Sequence, residues 1–153
     1  MRIQTILPAA EAAIVSRAAE ILAKYARTTD CLTSPAEVKA MFQARIAAAD
    51  REVFAVAFLD AQHRLIELEE LFAGTLTQTP VYPREVVRRA LELNAAAVIL
   101  GHNHPSGTVD PSRADEQLTH TIKASCAVLD IKVLDHIVVS TTGTCSFVEK
   151  GLL

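Results

Sequence analysis

Two observations predict a three-layer α/β domain with a mixed central sheet. Strand-like and helical apolar patterns alternate along the chain, and no internal repeat or low-complexity linker interrupts the alternation. The 153 residues, half of them hydrophobic and 5% aromatic, are enough for one continuous core built mostly from Ala, Leu, Val and Ile. The division expected is a helical segment over residues 1–50 and a sheet-containing domain over 51–153, packed as one compact unit.

Residues 9–27 place Ile14, Ala18, Ile21, Leu22 and Tyr25 at helical spacing, and Thr28-Thr29-Asp30 breaks the pattern. A second helix is predicted from Ser34, with Ser34 as N-cap, Pro35 at the first position and Glu37 closing a capping box. Its apolar face is Val38, Met41, Phe42 and Ile46. Residues 53–59 are apolar at every position, the pattern of a central strand covered on both faces. Asp60-Ala61-Gln62-His63 turns the chain into a strand over 65–72, whose Glu67 and Glu69 share a face expected to meet solvent. Pro83 starts a helix with Val86, Val87, Ala90 and Leu91 inward, ending near Asn94. Residues 96–100 form a strand, and Ala114, Leu118, Ile122, Cys126 and Leu129 mark one face of a long helix. Strands are expected over 131–134 and 136–140, with a short last one around 145–148.

The chemistry-bearing stretch follows the strand at 96–100. Two imidazoles at i and i+2 of an extended chain point to one face, so His102 and His104 can reach the same point. Pro105 ends the ladder, Ser106-Gly107 turns, and a helix starting near Ser112 brings Asp115 into its first turn. Two imidazoles and a carboxylate leave the fourth position of a tetrahedral zinc open, the arrangement of a catalytic site. Each piece also has a plainer explanation. His-x-His can be a polar strand edge, and Ser112-x-x-Asp115 can be a capping arrangement.

His102-x-His104-Pro105 with Ser112-x-x-Asp115 resembles the metal-binding signature of the MPN-plus (JAMM) metalloprotease domains. The wording His102-Asn103-His104-Pro105-Ser106-Gly107, then Pro111-Ser112 and Asp115, resembles their bacterial RadC-type branch. Arg51-Glu52-x-Phe54, Gly74-Thr75, Pro83-Arg84-Glu85-Val86, Asn94-Ala95, Leu134-Asp135-His136-Ile137 and Gly151-Leu152-Leu153 extend the resemblance over roughly residues 30–153. It implies the MPN/JAMM fold, of cytidine-deaminase-like type, and a zinc ion (Zn2+) held by His102, His104 and Asp115. It also implies Glu52 as general base and acid, and Ser112 as hydrogen-bond donor to the oxyanion of a tetrahedral intermediate. Without the resemblance, Glu52 reads as a solvated acid at a strand end. The implied activity is hydrolysis of a peptide or isopeptide bond in a peptide or protein substrate. Alternatives are a non-catalytic metal-binding interaction module and a DNA-repair-associated protein, the latter suggested by the family's historical naming. The helix-hairpin-helix of longer members is not visible here, and the Pro-Cys-x-x-Cys of zinc deaminases is absent.

Among the other histidines, His63 and His120 read as surface residues. His136, next to Asp135 at a strand start, reads as a structural hydrogen-bond partner rather than a ligand, because three ligands are already assigned. The net charge of −3 lacks the basic excess of a nucleic-acid binder. No apolar run reaches membrane-span length and no signal-like segment opens the sequence. Cys31, Cys126 and Cys145 form no Cys-x-x-Cys pair, so a reduced, cytoplasmic setting is expected. Oligomerisation is left open.

Overall fold

The computed structural model describes residues 7–28, 32, 34–74 and 80–153. In chain order these form α1 (Ala9–Thr28), α2 (Pro35–Ile46), β1 (Val53–Leu59), β2 (Leu65–Ala73), α3 (Pro83–Glu92), β3 (Ala97–Asn103), α4 (Arg113–Ala127), β4 (Lys132–Val139) and β5 (Thr144–Ser146). The strands make one mixed sheet in the order β2-β1-β3-β4-β5, parallel between β3 and β4 and antiparallel elsewhere.

The all-apolar run of β1 follows from its place between two layers of helix. Val53, Ala55, Ala57 and Leu59 pack with Val38, Met41, Phe42 and Ile46 of α2. Phe54, Val56 and Phe58 point the other way, to Val86 and Ala90 of α3 and Ile122 and Cys126 of α4. Each fully buried large side chain contributes about 1.5–3 kcal/mol. The α2 layer packs tightly against the sheet at Gly101, where an added Cβ would lie 2.3 Å from the Phe42 ring. Only glycine lets α2 sit this low, directly behind the strand that carries His102.

Several boundaries differ from the sequence reading. Strand β3 runs on through Asn103, so His102 lies within the ladder rather than in a loop beyond it. The two strands expected around Asp135 are one strand, β4, with a register irregularity that skips Leu134. Ser34 makes no side-chain cap bond at α2. Pro35 has no N–H, so one fewer orphan donor needs a cap there. Leu91, Ala114 and Leu129 are exposed. The inward stripe of α3 runs through Val86 and Ala90 and on to the C-cap Leu93, which turns Leu91 outward; Leu129 lies past the end of α4. Glu69 is not a free solvent-facing acid but accepts from the Arg89 guanidinium through both carboxylate oxygens at 2.9 Å. His63 is half-buried in a turn with a positive φ of 60°, whereas His120 is exposed. The break at Thr29-Asp30 and the residues Cys31 and Thr75 lie outside the described residues, while Cys126 and Cys145 are buried free thiols. Among the described residues no helix is long and apolar enough to cross a membrane.

Candidate metal centre

The C-terminal end of β3 and the N-terminus of α4 meet at three side chains. Ligand atoms of His102, His104 and Asp115 all lie within 4.8 Å of one another. His102 Nε2 is 2.9 Å from His104 Nε2 and 3.4 Å from Asp115 Oδ1; His104 Nε2 is 3.6 Å from Asp115 Oδ2. The i, i+2 spacing sets the two imidazoles on one face. The capping box of α4 sets the carboxylate: Asp115 Oδ2 accepts the Ser112 amide N–H at 2.7 Å, and Ser112 Oγ accepts the Asp115 N–H at 3.1 Å. Capping and metal signature are therefore one structure, not competing readings of it.

The protonation of these groups is constrained by their outer partners. His104 Nδ1 faces the Thr108 carbonyl oxygen at 3.1 Å. A carbonyl only accepts, so Nδ1 carries the proton and a neutral His104 turns a bare Nε2 toward the cluster. The Asp115 carboxylate beside it raises the His104 pKa above its ordinary value, with a further push from the Glu52 charge. Burial works to raise the Asp115 pKa, but the two imidazoles and the Ser112 hydroxyl outweigh it and hold the carboxyl well below the usual carboxylate range. Lone pairs thus converge on a space that favours positive charge. Two neutral imidazole nitrogens and one carboxylate are a donor set that fits a zinc-class divalent ion.

Glu52 stands beside this cluster. The antiparallel register pairs Phe54 with His102, and Glu52 lies two residues before Phe54 on the strand approaching the cluster. Glu52 is half-buried, its backbone carbonyl accepts the Gly74 N–H at 2.9 Å, and its charge is felt at His104. Ser112 caps α4, and its hydroxyl proton goes to Asp115 Oδ2 at 2.7 Å. In this state the proton that could serve an oxyanion is held by a carboxylate of the cluster.

Two site residues escaped the sequence reading. Asn103, between the histidines, is fully buried on the opposite face of β3; its Oδ1 accepts the Val53 N–H at 2.7 Å and its Nδ2 donates to the Arg51 carbonyl at 3.0 Å. Both neighbours of Glu52 are thereby tied to the strand of the ligands. An asparagine within an apolar strand was the available signal. Thr119 is also fully buried, and bonds His136 at 2.6 Å. His136 is fully buried, lies outside the cluster and contacts His102, in keeping with a hydrogen-bonding rather than a ligand position.

A family model described as the RadC-like JAB domain matches residues 32–152. A UPF0758 protein of Variovorax paradoxus is 55% identical over 141 residues, covering 92% of this chain and 63% of the relative. UPF0758 proteins of Methylibium petroleiphilum and Leptothrix cholodnii are 56% and 53% identical, covering 93% and 99% of this chain. The chain spans 64% of each of those two relatives, somewhat under two thirds of their length.

Proposed function

The chain belongs to the RadC-like JAB domain family, and from that premise we propose that it is a zinc-dependent hydrolase cleaving a peptide or isopeptide bond. The observation that carries this reading is the convergence of His102 Nε2, His104 Nε2 and the Asp115 carboxylate beside Glu52. When bound there, zinc supplies a Lewis acid and lowers the pKa of coordinated water toward about 7. Glu52 then provides the carboxylate that takes up a proton and delivers it to the departing amine nitrogen. Ser112 provides a hydroxyl donor for the carbonyl oxygen of the substrate, once its proton turns away from Asp115 Oδ2. Asn103 holds the backbone on both sides of Glu52 in register with the ligand strand.

The test is cleavage of a peptide and isopeptide library by zinc-loaded native protein and by Glu52→Gln at equal zinc content. General acid–base assistance is worth about 10²–10⁴-fold, so turnover should fall by that order in the variant. A library left uncut by zinc-loaded native protein would contradict the hydrolase reading and support a metal-binding interaction module.

A further inference from the structure

Behind His102 a line of buried polar groups passes through the core and returns to the backbone of Asp115. His102 Nδ1 lies 2.8 Å from His136 Nε2, His136 Nδ1 lies 2.6 Å from Thr119 Oγ1, and Thr119 Oγ1 lies 2.6 Å from the Asp115 carbonyl oxygen. Thr119 and His136 are both fully buried. Hydrogen counting gives this line a direction. Two oxygens at 2.6 Å need a proton between them, and a backbone carbonyl has none to give, so the Thr119 hydroxyl proton points to Asp115. That hydroxyl has only one proton. The 2.6 Å contact to His136 must then use a proton on His136 Nδ1, with Thr119 Oγ1 accepting. The His136 ring is fully buried, stacks on Phe147 at 4.6 Å and bonds an imidazole and a hydroxyl rather than a carboxylate, so it carries a single ring proton and its Nε2 is bare. A bare Nε2 can only accept, which puts a proton on His102 Nδ1 and leaves His102 Nε2 unprotonated, facing His104 and Asp115.

We propose that Thr119 and His136 form a directional hydrogen-bond relay that commits His102 to bind metal through Nε2. Both are positioning residues: neither is among the grouped ligand atoms. The relay starts on the carbonyl of Asp115, itself a member of the cluster, so one turn of α4 supplies a carboxylate to the metal side and an acceptor that orients a second ligand. Reversing every bond would place a proton on His102 Nε2 and remove that nitrogen from the donor set. The Thr119–Asp115 bond blocks the reversal.

The inference rests on the metal-binding reading, but its first test does not need metal. In the metal-free protein at pH above 8, two-bond and three-bond proton–nitrogen correlations should report Nδ1–H tautomers for both His102 and His136. An Nε2–H tautomer at either residue would overturn the relay whatever the protein binds. The second test is zinc affinity by chelator competition. Thr119→Val keeps shape but loses both bonds and should weaken zinc about 10–100-fold, the usual effect of losing such a partner. Thr119→Ser, which keeps the hydroxyl, should restore affinity to near the native value. Equal affinity in Thr119→Val and native protein would overturn the proposal. Native protein that binds no zinc yet shows both Nδ1–H tautomers would refute the metal reading and leave the relay's direction intact.

Discussion

The Asn103 side-chain oxygen accepts the Val53 amide proton at 2.7 Å, so the strand that carries His102 and leads into His104 also fixes the backbone next to Glu52. The same side chain donates to the Arg51 carbonyl on the other flank at 3.0 Å. Removing it orphans a buried amide, and an unsatisfied buried donor costs about 1–3 kcal/mol. Asn103→Ala should therefore lower thermal stability by that order and speed hydrogen exchange at the Val53 amide. Turnover should drop while zinc content is kept, because the ligands themselves are untouched. Native exchange at Val53 in the variant would show that another group satisfies that amide.

Gly101 tests how the helical layer supports the site. A Cβ there would fall 2.3 Å from the Phe42 ring, well inside contact distance. Phe42 is fully buried and has little room to retreat. Gly101→Ala should cost about 1–3 kcal/mol by overpacking, and the pair Gly101→Ala with Phe42→Leu should recover part of it. Chemical denaturation of the three proteins measures both.

Ser112 serves the helix and the cluster together. Loss of the cap in Ser112→Ala should cost about 1 kcal/mol of stability. Loss of an oxyanion donor should add about 2.7–4 kcal/mol to the reaction barrier. The hydroxyl donates its hydrogen bond to Asp115 Oδ2, so the second effect needs that bond to break during the reaction. Melting curves and turnover on one variant separate the two roles. Full turnover with reduced stability would leave Ser112 as a cap alone.

The pH dependence of the metal-free protein follows from two opposed shifts. His104 has a raised pKa, so its contribution is present in full below the unfolded value of about 6.5 and fades as pH rises through the higher folded value. Asp115 has a lowered pKa, so its contribution is present above the unfolded value of about 3.9 and fades as pH falls toward its folded value. Stability without metal should therefore decline from about pH 6.5 upward. Zinc competes with the His104 proton, so zinc-loaded protein should show the reverse trend over the same range. Melting temperatures from pH 5 to 9, with chelator and with zinc, check the crossing trends. A metal-free melting temperature that does not change between pH 6 and 8 would contradict the assigned shift.

Much of this was legible because the relevant signals are short-range. The bounds of β1 followed from seven consecutive apolar residues, and the Ser112–Asp115 cap from a three-residue spacing. The His-x-His pair followed from the two-residue period of a strand. What stayed hidden depends on pairs far apart in the chain. Asn103 meets Val53 across fifty residues and His136 meets His102 across thirty-four, and no local pattern encodes either contact. Glu69 looked like a solvent-facing acid because nothing near it in sequence announces Arg89. Leu134 was the other obstacle: its skipped register broke the alternation that would have joined β4 into one strand.

Zinc stoichiometry after exhaustive dialysis, measured on native protein and on His102→Ala, tests the three-ligand centre most directly. The account predicts one equivalent in the native protein and close to none in the variant, with a melting curve on each confirming that both are folded. One full equivalent retained by His102→Ala would contradict it.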